Sequence, residues 1–139
     1  MIARWPSELP RPLRAGYQRT SGESRLRTTN DKGPARQRRR FSSVTDTLDL
    51  TFILTMNEWA RLLRFYREET LDGALPFIMP DFDRQGLSLS TATGSSLTTS
   101  TGHRLVIGAT WLCQFSDALP VATVIGVQRQ VSFRVDILP

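Results

Sequence analysis

Residues 44–54 alternate in polarity. Leu48, Leu50, Phe52 and Leu54 fall on one side of an extended chain, and Asp49, Thr51 and Ile53 on the other, the period of a half-buried strand. The alternation returns at 128–138, where Val131, Phe133, Val135 and Ile137 interleave with Ser132, Arg134 and Asp136. That segment predicts the closing strand of the domain. Directly after the first strand the period changes. Residues 55–70 read TMNEWARLLRFYREET, with Trp59, Leu62, Leu63 and Phe65/Tyr66 at helical spacing. Thr55 and Glu58 have the spacing of a capping box, in which the hydroxyl accepts from the N3 amide and the carboxylate reaches back to the cap amide. The pattern predicts one helix over 56–70, its aromatic stripe against a sheet and Trp59 and Leu63 in the core.

Weaker strand signals surround this pair. Residues 74–79 (ALPFIM) read as a short strand ended by Pro80. Residues 104–115 and 121–127 are further candidates, separated by a break at 117–120. Residues 25–29 (RLRTT) form a short strand before a turn at 30–34 (NDKGP). In 35–41 (ARQRRRF) an extended backbone puts Arg36, Arg38 and Arg40 on one face and Arg39 with Gln37 on the other. One helix among strands predicts a mainly β domain and excludes a doubly wound enzyme fold.

Two stretches resist this grammar. Residues 1–24 contain Pro6, Pro10 and Pro12, which favour an extended arm, and Trp5, Leu9, Leu13 and Tyr17, which need cover from the parent domain or a neighbouring copy. The β-rich domain then occupies 25–139. Residues 81–103 are rich in hydroxyls. Leu87 and Leu89 alternate with Ser88 and Ser90 like one arm of a hairpin, and Gly94 and Gly102 mark bends. Residues 91–101 hold one large apolar side chain, Leu97, and read as an exposed, mobile loop.

Composition narrows the class. A chain of 139 residues, 40% hydrophobic, supports one folded domain. No stretch approaches the length of a membrane span, and the first twelve residues lack the apolar run of a secretory signal; the expectation is cytoplasmic synthesis without a membrane anchor. Charge is divided unevenly. Residues 1–41 carry eleven Lys/Arg against three acids, and the remaining chain seven against ten. Such polarity fits a protein that meets a copy of itself or a polymer.

Candidate chemistry is sparse. Cys113 lies in ATWLCQF, where a lone cysteine acts as a small hydrophobe. His103 is the single histidine, beside Gly102, and reads as a surface residue. Asp81 and Asp83 lack the ligand series of a calcium loop and read as a turn. Glu68 and Glu69 read as solvent-facing charge, and no phosphate-cradling glycine motif occurs. The expectation is a protein that is not an enzyme and has no catalytic, cofactor or metal residues. The arginines at 36–40 have three readings: a contact with another subunit, a grip on nucleic-acid phosphates with steep salt dependence, or a solvated strand face.

Several segments in order carry a family resemblance. They are LP at 9–10, GY at 16–17, DKGPARQRRRF at 31–41, LTFILTMNEWARLLRFY at 50–66, GALPFIMP at 73–80 and VSFRVDILP at 131–139. Together they resemble the small minor tail proteins of siphophages, of the distal-tail type. The resemblance implies a tail-tube-like β-sandwich or barrel with one flanking helix. It also implies a homo-oligomer, a hexameric ring in the distal tail of the virion, joining the tube to the baseplate hub, with DNA passing through it. Trp5, Tyr17, Arg36, Arg38, Arg39 and Arg40 are the expected subunit-interface residues. The alternative is a head–tail joining or DNA-guiding protein that contacts nucleic acid through 36–40.

Overall fold

The two strongest strand signals pair with each other. In a computed structural model, which describes residues 2–139, β5 (Asp46–Leu54) lies antiparallel to β9 (Gln128–Ile137) along its whole length. Leu48 faces Val135, Leu50 faces Phe133 and Phe52 faces Val131. The register superimposes the two apolar faces, as period-two alternation requires. β7 (Thr110–Phe115) extends the sheet beyond β9, and β6 (Phe77–Pro80) beyond β7. β8 (Val121–Ile125) folds back on the first half of β9.

The helix runs over 56–69 in two parts. Residues Met56–Arg64 form α1, and Phe65–Glu69 continue as a single π turn in which the Thr70 amide donates to the Phe65 carbonyl at 3.0 Å. Thr55 caps the start by accepting from the Glu58 amide at 3.4 Å. The Glu58 carboxylate accepts from the Thr55 hydroxyl at 3.0 Å and does not reach the cap amide as the capping box predicts. Leu62 and Phe65 are the residues driven into the core. Trp59 packs at its rim and Leu63 is half-buried on the flank, which corrects their expected central position. The reason is phase: the three-residue step from Leu62 to Phe65 sets the inward line, and Leu63 lies one position off it. After the π turn the chain reverses through three left-handed residues, Leu71, Asp72 and Gly73. Gly73 is needed there, since a Cβ would meet Phe115 and Tyr66 at 3.1 Å.

The expected arm is split between the two ends of the sheet. β1 (Ala3–Arg4) pairs parallel with β6, and β2 (Gln18–Thr20) antiparallel with β5. The main sheet therefore runs β1-β6-β7-β9-β5-β2. Between its two short strands the arm delivers Trp5 and Leu9 to the core, where the Trp5 ring lies 5.6 Å from both Phe52 and Phe65 and 5.9 Å from Phe133. Prolines prevent a helix here without preventing burial.

This is a mainly β domain with one short helix and two sheets, and the sheets do not close into a barrel. The main sheet curls until Arg19 on β2 sits over the Trp111 ring on β7, 5.5 Å away. No backbone ladder joins β1 to β2, so the expected barrel is not formed. The second sheet is a separate ribbon of β3 (Arg25–Thr28) and β4 (Arg36–Arg39), hydrogen-bonded to no strand of the main sheet. The candidate strand at 104–115 begins only at Thr110, because residues 104–107 belong to a different construction described below.

Candidate functional site

Three surfaces project from the core. The first is the β3–β4 ribbon. Its register sets Arg25 opposite Arg39, Leu26 opposite Arg38, Arg27 opposite Gln37 and Thr28 opposite Arg36. Alternation then divides the cations between both faces, with Arg36, Arg38 and Arg40 on one and Arg25, Arg27 and Arg39 on the other. Arg25 is engaged by Glu23 at 2.8 Å and donates to the Gln37 side-chain carbonyl at 2.7 Å. Arg25 holds the exposed Glu23 carboxyl down at about 2, by hydrogen bonding before charge. Arg39 donates to the carbonyls of Phe41 and Ser42, and Arg40 lies over the Phe41 ring. Among the described residues Arg27, Lys32, Arg36 and Arg38 form no ion pair and no side-chain hydrogen bond. Residues 23–41 hold seven Lys/Arg against two acids, and the remaining chain has eleven of each. The whole net charge of +5 therefore sits on this ribbon.

Of the six residues expected at a subunit contact, the four arginines are exposed on or beside this ribbon. The other two are elsewhere. Trp5 is 7% exposed and its aromatic neighbours all belong to its own chain. The need for cover, legible in the sequence, is met within the core cluster. Tyr17 is half-buried, and its hydroxyl is enclosed with no hydrogen-bond partner. Burial first, and then the nearby Asp83 carboxylate, push the phenol well above its ordinary pKa. The carboxylate acts there as a neighbouring negative charge, outside hydrogen-bonding geometry.

The second surface occupies residues 86–108, which include the loop expected to be mobile at 91–101. The segment is exposed as expected, but its backbone is organised by an internal repeat. SLSTATGS at 88–95 is followed by SLTTSTGH at 96–103 and then by RLVIG. The leucines recur every eight residues, and their amides close a ring: Leu97 donates to Leu89, Leu105 to Leu97 and Leu89 to Leu105, each at 2.9 Å. Two arms of this triangle end in matching turns. Thr91 accepts from the Ser95 amide and Thr99 from the His103 amide, both at 3.2 Å. Gly94 and Gly102 both take φ +88°. The third arm is the entering and leaving chain, with Ser88 bridged to Val106. The three leucines are 38–39% exposed, as their equivalent positions demand. The signal was available in the eight-residue self-similarity, which a reading by hydroxyl content alone passes over.

The third surface is the β8–β9 hairpin. Every residue of β8 is exposed, and Val121, Val124 and Val127 are 63%, 66% and 86% exposed. The outer edge of β8 carries no paired strand.

The residues weighed for chemistry serve the fold. Cys113 is fully buried between Phe77 and Ile137, and burial pushes its thiol up to about 12. Asp81 is buried; one carboxylate oxygen accepts from the Asp83 and Arg84 amides and the other pairs with the Arg84 guanidinium at 2.8 Å, so it caps a turn. His103 is exposed in the second repeat turn. No group of three metal-capable side chains occurs among the described residues. No family model, curated protein or solved structure matches the chain.

Proposed function

We propose that this protein is a structural component of a bacteriophage tail, tail-tube-like in fold, that forms a ring joining the tail tube to the distal baseplate or hub. The ordered sequence resemblance motivates the reading. The observation that carries it is the bare apolar β8 strand, with Val121 and Val124 63% and 66% exposed beside an unpaired edge. An edge of this kind pairs with another chain or aggregates. A neighbouring subunit offering a different face satisfies it heterologously, and a rotation that closes makes a ring, here a hexamer. The seam therefore runs along β8 rather than along the arm.

Native mass spectrometry of the purified protein, with negative-stain microscopy of assembled tails, tests this. Rings of six are expected, and Val124→Lys with Val127→Lys reduces them to folded monomers. A wild-type protein that remains monomeric inside intact particles overturns the proposal. A second reading, a head–tail joining or DNA-guiding protein, is favoured by the concentration of the entire net charge on 23–41. Immunogold labelling of particles separates the two: signal at the distal tip supports the first, and signal at the neck the second.

A further inference from the structure

The basic ribbon contributes nothing to the core, carries Arg25 directly opposite Arg39, and still forms a hydrogen-bonded pair of strands. A two-stranded ribbon is marginal in water by itself, and like charges placed opposite each other weaken it further. An anionic partner removes both penalties. A second copy of this chain is poorly equipped to be that partner. Of its thirteen acids, eight are already in ion pairs. Two more, Glu58 and Asp136, accept hydrogen bonds from Thr55 and Thr47. Asp31 lies in the ribbon's own turn, which leaves Asp72 and Asp83.

We infer that the β3–β4 ribbon is a DNA-binding element that enters the major groove of duplex DNA and contacts the phosphates of both groove walls. The inference rests on the ribbon alone and is independent of the tail assignment. Two features favour a groove over a flat acidic surface. The cations stand on both faces, whereas docking on a flat surface would neutralise one. The ribbon is also slender: its strands are about 4.8 Å apart, and the B-form major groove, about 12 Å wide, admits a two-stranded ribbon. Arg36, Arg38 and Arg40 repeat about every 6.8 Å along one face, two residues per step. Arg27, with Arg25 and Arg39, addresses the other wall. The deep, narrow major groove of A-form RNA does not admit such an element, so the ribbon discriminates DNA from RNA by groove shape. Contacts made chiefly by guanidinium to phosphate bring little preference for sequence.

Fluorescence anisotropy of the full chain with a 20-base-pair labelled DNA duplex, titrated with salt, tests this. Six phosphate contacts, one from each arginine on the two faces, give a slope of log K against log salt of about −5.4. Arg36→Gln/Arg38→Gln/Arg40→Gln flattens the slope by about 2.7. Arg27→Gln, on the opposite face, flattens it by about 0.9. Arg104→Gln, a cation outside the ribbon, leaves it unchanged. Duplex RNA of the same sequence binds at least about tenfold more weakly. Circular dichroism and thermal unfolding of the variants match wild type, because the ribbon lies outside the core. Equal binding to RNA overturns groove entry, as does an Arg27→Gln variant with an unchanged slope. Tighter competition by polyglutamate than by unlabelled DNA overturns the DNA assignment in favour of an acidic protein surface.

Discussion

The ribbon at 23–41 and the triangular knob at 86–108 are both excursions from one β core, both exposed, and neither adds a residue to the hydrophobic cluster. They solve the problem of standing in water differently. The knob closes its backbone on itself: three leucine amides satisfy three leucine carbonyls in a ring, and threonine hydroxyls satisfy the turn amides. Its conformation is specified locally by hydrogen bonds that need no partner. The ribbon has a ladder but no closure, and it sets Arg25 opposite Arg39 across the strands. Exposure alone therefore does not tell which surface awaits a ligand. The informative quantity is what remains unsatisfied: little at the knob, and most of the charge at the ribbon.

The reference against which both projections are measured is a residue from the arm that does belong to the core. Trp5→Ala removes an indole packed on Phe52, Phe65, Phe77 and Phe133 and is expected to cost about 3–5 kcal/mol in urea denaturation. A cost below about 1 kcal/mol would show that the arm is as detached as the projections. Next in size is the knob. Gly94→Val or Gly102→Val forces a β-branched residue to φ +88° and costs about 1–2 kcal/mol locally. Hydrogen exchange should report faster amides at Leu97 and Leu105 while the global unfolding midpoint stays put. Coil-like exchange of these amides in the wild-type protein would break the contrast.

Smaller effects are expected at the ribbon. Arg39→Glu replaces the like-charge pair with Arg25 by an attractive one and stabilises the ribbon by about 0.2–1 kcal/mol. The readout is slower exchange of the Leu26 and Arg38 amides with no change in global stability; accelerated exchange would mean that repulsion is not what limits the ribbon. Smallest is the Glu23 titration. Its carboxyl is held at about 2 by Arg25. Because the folded value is depressed, the favourable contact is complete above the ordinary value of 4.5 and is lost as pH falls toward 2. A carbon-detected NMR titration of Glu23 should have its midpoint near 2, and Arg25→Gln should raise it toward the ordinary carboxylate range, while the backbone amide of residue 25 keeps part of the depression.

Local periodicity was enough to find β5, β9 and the helix, because each buries one face and so writes a repeat of two or of 3.6 into its own residues. The capping threonine was legible for the same reason: its geometry depends on residues within a few positions. The concentration of arginine at 36–40 was legible as charge, and the eight-residue repeat was present in the letters although hydroxyl content disguised it. Tertiary structure decided the rest. Nothing near Trp5 says that it turns inward, since its aromatic neighbours come from residues 52, 65, 77 and 133. Nothing near Arg25 says that Arg39 lies opposite, nor that their ribbon stands apart from the main sheet. Whether a curled sheet closes depends on the distance between β1 and β2 at its far edges, which no segment encodes alone. Burial and edge pairing are relations between residues far apart in the chain, and only the assembled fold sets them.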